Sequence, residues 1–72
     1  MRVRPATRIK IRRLEKGIPQ TEFAKQLGIT TTLASIYESG RAIPPRHILV
    51  KMAEILGCSP EELAQERSNE DD

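Results

Sequence analysis

Residues Gln20 to Gly40, QTEFAKQLGITTTLASIYESG, constrain the chain more than any other stretch. Phe23, Ala24 and Leu27 fall at i, i+1 and i+4, an apolar face with helical period, so a helix is predicted over Gln20–Leu27. Gly28 follows at once, where a left-handed residue closes a helix. Thr30 is then placed to cap a second helix, its hydroxyl accepting a backbone N–H. That helix is predicted over Thr31–Ser39, burying Ala34 and Tyr37 by i, i+3 spacing and ending at Gly40. Two helices this short bury too little to stand alone, so the rest of the chain must supply a surface for them.

The 72 residues make one small domain and leave no room for an enzyme core with a deep pocket. With one Phe, one Tyr and no Trp, aliphatic side chains must fill the interior, which suits packed helices. No apolar run reaches membrane-spanning length, and the start lacks the apolar stretch of a signal peptide. The single Cys58 cannot form an internal disulfide, so a reducing, cytoplasmic setting is expected. The net charge of +2 hides an asymmetry. Residues 1–16 carry seven Arg and Lys against Glu15 alone, whereas residues 57–72 carry six carboxylates against Arg67. A basic front and an acidic end suit a polyanion on one side, although a solvated dipolar surface reads the same way.

Around the central pair, three more helices are predicted. Pro5 fits a first helical turn, and helix 1 runs from there to about Lys16, with Ile9 and Leu14 facing inward and Arg13 beside them. Gly17 stops it, and Pro19 prevents it from continuing. The segment RAIPP, residues 41–45, is a loop because of its two prolines. Helix 4 spans about Arg46–Leu56, with Ile48, Leu49, Met52, Ile55 and Leu56 on one face, and Gly57 ends it. Ser59 caps a last helix that has Pro60 at its first position and Glu62 at the capping-box position. Leu63 and Ala64 are expected to dock on the core. Leu33 falls off the core face, and Ile11 and Ile43 are apolar residues without an assigned role. The boundaries are a basic arm over residues 1–5, a domain over 6–66 and an acidic, frayed tail over 67–72.

The central pair has the dimensions of a helix-turn-helix, which offers its second helix to a DNA major groove. The ordered set of residues resembles the lambda-type repressor and Cro family of helix-turn-helix proteins from about Ile9 to Leu63. It is carried by Arg13 and Gly17 closing helix 1, Gln20 opening helix 2, Phe23–Ala24, and Leu27–Gly28–Ile29. Glu38 and Gly40, Pro44, Ala53, Leu56–Gly57, Ser59 and Glu62–Leu63 complete it. The resemblance implies an all-α, five-helix cytoplasmic domain that binds double-stranded DNA as a dimer, with dimer contacts from the Ile43–Pro45 loop and the Cys58–Leu63 end. A chain this small is expected to pair weakly until DNA brings two copies together.

It also implies site residues. Gln20 matches a backbone-clamping position, and a helix N-terminus with free N–H groups favours phosphate. Thr30, Thr31, Thr32, Ser35, Ile36 and Ser39 match positions that contact bases and phosphates. Helix 3 departs from the family here, because it holds no Arg, Lys, Asn or Gln to make a bidentate base contact. Hydroxyls read base edges weakly and methyls favour the thymine C5-methyl, so A/T-containing sites and readout of DNA shape are expected. Arg41 and Arg46 flank the loop that runs along the DNA backbone in the family, and phosphate is the natural partner of both. Arg2 and Arg4 could reach a minor groove. Arg13 and Glu38 match a structural ion pair that locks the reading helix to helix 1.

No chemistry is visible. One His and one Cys make no metal cluster, and there is no nucleophile triad or Gly-rich phosphate loop. No enzyme activity, cofactor, small-molecule substrate or membrane partner is expected. The leading reading is a sequence-specific repressor on a palindromic operator. The other is a protein-interaction module on the same fold, an antitoxin or coactivator-like adaptor, which Leu33, Ile36 and the acidic tail also suit.

Overall fold

Thr7, its own backbone extended, stands at the start of the first helix. Its hydroxyl accepts the Lys10 N–H at 3.2 Å, so α1 spans Arg8–Glu15. The computed structural model describes residues 7–64. The arm at 1–5, with Arg2, Arg4 and Pro5, and the tail at 67–72 lie outside the described residues. α2 spans Gln20–Leu27, α3 Thr31–Ser39, α4 Arg46–Leu56 and α5 Pro60–Ala64, and the described residues hold no strand. Each predicted stop acts where it was read. Gly28 closes α2 with φ +75°, and no atom lies within 4 Å of the place a Cβ would take there, so only backbone conformation demands glycine. Ser59 caps α5 by accepting the Glu62 N–H at 3.2 Å.

Phe23, Leu27, Tyr37, Ile48, Leu49, Met52, Leu56, Ile9 and Leu63 form one apolar cluster. Phe23 and Met52 are wholly enclosed, and all five helices contribute to the cluster. α2 packs on α3 and α4, α4 packs on α5, and α1 lies across α3, α4 and α5. Truncating Phe23 to Ala would remove a ring with no solvent face, a change worth about 3–5 kcal/mol.

Four expectations change. Helix 1 begins at Arg8 after the Thr7 cap, later than a start near Pro5. Leu14 is 57% exposed. Ile9 and Arg13 share the inward face of α1 at i, i+4, and Leu14 stands about 100° away from Arg13, so burial of Arg13 turns it outward. Ala64 is exposed, because α5 has one inward position and Leu63 fills it. Leu33 packs against the core at its edge, one turn before Tyr37 on the same side of α3. Among the described residues no helix is long and apolar enough to cross a membrane.

Candidate nucleic-acid interface

The geometry of α3 is set from both ends. At its start, the Gly28–Thr30 turn reverses the chain while the Ile29 N–H donates to the Ala24 carbonyl at 3.0 Å. Thr30 then caps α3 by accepting the Leu33 N–H at 3.0 Å. At its end, Glu38 is buried against the body of the domain. Arg13 holds the Glu38 carboxylate with two donors, Nε to Oε2 at 2.6 Å and Nη2 to Oε1 at 3.2 Å. Its Nη1 donates to the Ile18 carbonyl at 2.6 Å. Gln20 adds Nε2 to Oε1 at 3.1 Å, and the Thr7 hydroxyl donates to the Glu38 main-chain carbonyl at 2.7 Å.

A buried charge pair is tolerable only when its remaining donors and acceptors are satisfied. Here that condition holds, since no buried side-chain nitrogen or oxygen among the described residues lacks a partner. The network ties both ends of α1, the α1–α2 connection, the first residue of α2 and the last turn of α3. The expected Arg13–Glu38 pair is therefore present, and Gln20 is part of it. One N–H of the Gln20 amide is committed to Glu38, and a second remains on the same nitrogen.

The outer side of α3 carries Thr31, Thr32 and Ser35, all exposed, with Ile36 half-buried beside them. Thr30 is also exposed at the start of the helix, its oxygen engaged in the cap. Ser39 is turned back on the helix, its hydroxyl donating to the Ile36 carbonyl at 2.8 Å while the Arg41 Nε donates to it at 3.3 Å. Ser39 and Arg41 thus form one local unit at the far end. Arg46 stands apart from this group. It is exposed at the start of α4 and pairs with Glu61 at 3.3 Å. A hydrogen bond from its own backbone N–H, and then the Arg46 guanidinium, hold the Glu61 carboxyl below the ordinary glutamate range.

Two contributors escaped the sequence reading. Thr7 had a legible signal, a Thr directly before the periodic run of helix 1. The Arg12–Glu62 ion pair, which joins α1 to α5, had none, because its partners are 50 residues apart. Among the described residues no group of three or more His, Cys, Asp or Glu could hold a metal ion.

A model of the helix-turn-helix family HTH_3 matches residues 9–63. Multiprotein-bridging factor 1c of Arabidopsis thaliana is 40% identical over 58 residues, covering 78% of this chain and 39% of that protein. The uncharacterized HTH-type transcriptional regulator YazB of Bacillus subtilis is 39% identical over 57 residues, covering 79% of this chain and 83% of that one. Among solved structures, a chain of the SinR/SinI protein complex superposes with a TM-score of 0.72 at 30% identity, over 90% of this chain and 64% of that one. The chain thus spans about two fifths of the plant relative and just under two thirds of the solved chain. From the five-helix order, the buried Arg13–Glu38 lock and the match over residues 9–63, the chain belongs to the helix-turn-helix family of lambda-repressor and Cro type, a family of transcription regulators.

Proposed function

We propose that this chain regulates transcription by binding double-stranded DNA, with α3 laid in the major groove and promoter occlusion as the mechanism. The observation that carries this reading is the outer face of α3. Three hydroxyl side chains stand in solvent on a helix whose opposite side is fixed by a saturated buried network. A rigid helix with a small polar face suits a groove about 12 Å wide. Thr31, Thr32, Ser35 and Ile36 would meet base edges and thymine methyls. Gln20, Thr30, Ser39, Arg41 and Arg46 would meet phosphates. Since no side chain on α3 makes a bidentate base contact, much of the sequence preference would come from DNA shape. Two copies on a palindrome with half-sites about 34 Å apart would complete the complex.

Selection from a random duplex library tests this, run in parallel with the Thr31/Thr32/Ile36 triple Ala variant. The proposal expects an enriched A/T-containing motif for the wild type and a degraded or absent motif for the variant. Equal enrichment by both would remove α3 from the account.

A second reading has one specific observation behind it. The 40% identical plant relative carries the name multiprotein-bridging factor, and Ile11 and Leu14 stand exposed one turn apart on α1. On that reading the domain is an adaptor for other proteins. Affinity for mixed-sequence duplex against salt separates the two, since phosphate contacts make affinity fall steeply as salt rises. A flat response together with a co-purifying protein would favour the adaptor.

A further inference from the structure

We infer that Thr7 is a positioning residue for the reading helix, setting the angle at which α3 meets a duplex through its hydrogen bond to the Glu38 carbonyl. This rests on the DNA-binding reading above and adds to it a buried residue packed against the last turn of α3, outside its exposed face. Arg13 and Gln20 grip Glu38 by its carboxylate, at the end of a side chain with three rotatable bonds. They fix where that carboxylate lies and leave the helix axis some freedom. Thr7 grips the main chain itself. Its hydroxyl lies 2.7 Å from the carbonyl of Glu38, in the last turn of α3, where carbonyls have no partner within the helix. The same oxygen accepts the Lys10 N–H, so the hydroxyl couples the start of α1 to the end of α3. The Thr7 methyl completes the clamp, lying 3.5 Å from the place a Cβ would take at Gly40, the cap of α3. Thr7 itself is buried, and threonine is stiff about its first side-chain torsion.

Physical chemistry separates what such a clamp controls from what it does not. Hydrogen bonds to base edges weaken within a few tenths of an ångström and a few tens of degrees. Attraction to phosphate is long-ranged and tolerates a tilted helix. Releasing the C-terminal end of α3 lets the helix pivot about the Gly28–Thr30 turn. Discrimination between sequences then falls, while affinity for mixed-sequence DNA persists. A residue that merely stabilises the fold would lower both together, in proportion to the folded fraction.

The test uses the full chain and two probes, the tightest duplex recovered by the wild type from a random library and a mixed-sequence duplex of equal length. Thr7→Val removes the hydroxyl, Thr7→Ala does so without any risk of overpacking, and Thr7→Ser keeps it. Binding is measured at a temperature where circular dichroism shows each variant folded, and Thr7→Ala decides the matter if Thr7→Val does not fold. The affinity ratio between the two probes should fall about tenfold, the worth of roughly one base contact, in Thr7→Val and Thr7→Ala. Mixed-sequence affinity should stay within about twofold, and Thr7→Ser should restore the ratio. An unchanged ratio in the folded Val and Ala variants would overturn the inference and leave the DNA-binding reading standing. Absence of duplex binding by the wild type itself would overturn both.

Discussion

The domain holds its charges in two contrasting ways. Behind α3, Arg13 and Glu38 are side chains only 8% and 2% exposed, and four hydrogen bonds from three residues converge on Glu38. At the start of α4, Arg46 and Glu61 are 68% and 65% exposed and touch at 3.3 Å. The two ion pairs share a chemistry and differ in solvent. Water screens the exposed pair and supplies a substitute for either partner. The buried pair has no substitute, so each charge needs the other and needs every further hydrogen bond around it. The first pair is therefore a lock on α3, and the second is a loose contact whose guanidinium stays exposed.

The largest effect should come from breaking the lock. Glu38→Ala strands the Arg13 charge in the interior, at about 3–5 kcal/mol, and the melting temperature should fall by more than about 10 °C in a domain this small. A melting temperature close to the wild type in thermal denaturation would mean the two sites do not differ. Gly28→Ala is the intermediate case. Its φ of +75° is the left-handed region, and a Cβ there meets no atom within 4 Å. The cost is backbone strain alone, about 1–2 kcal/mol, read by denaturant unfolding. A neutral outcome would show that the turn relaxes and that α3 is held by its far end only.

At the exposed site, stability and binding should separate. Double replacement of Arg41 and Arg46 by Ala should leave the melting temperature nearly unchanged. The same variant should flatten the log–log salt dependence of affinity for mixed duplex by roughly one unit per phosphate contact removed. An unaltered slope takes both arginines off the DNA. The smallest effect belongs to Glu61→Gln. A glutamate held below its ordinary value of 4.5 contributes stability above that value and loses it as the pH falls through the lowered one. Any difference between wild type and Glu61→Gln in thermal melts should thus be present at neutral pH, shrink below pH 4.5, and stay small throughout. A difference that grows on acidification would reverse the assignment.

The core was legible because helical period and punctuation agree. Gly28, Thr30, Gly40, Gly57 and Ser59 each act locally, through their own φ or a bond three residues away, so a one-dimensional reading finds them. Faces of short helices were harder. α1 has two turns and apolar residues at 9, 11 and 14, which do not define a single side. Its inward arc is fixed by a charged residue, Arg13, whose burial depends on Glu38 in another helix. The same limit hid Arg12–Glu62, whose partners meet only after the chain has folded. The likeness to known repressors brought Arg13 and Glu38 together, and hydropathy alone would have left both in solvent. The composition of the outer face of α3 was readable from the start. What it touches depends on a partner surface that the chain does not encode in its own contacts.

The most direct measurement follows backbone amide signals of the full chain while mixed-sequence duplex is added at low ionic strength. The account predicts that the largest shifts fall on Thr31, Thr32, Ser35 and Ile36, with Gln20 and Arg41 moving alongside, and that they reverse when salt is raised. Shifts gathered around Ile11 and Leu14 on α1, with α3 undisturbed, would contradict it.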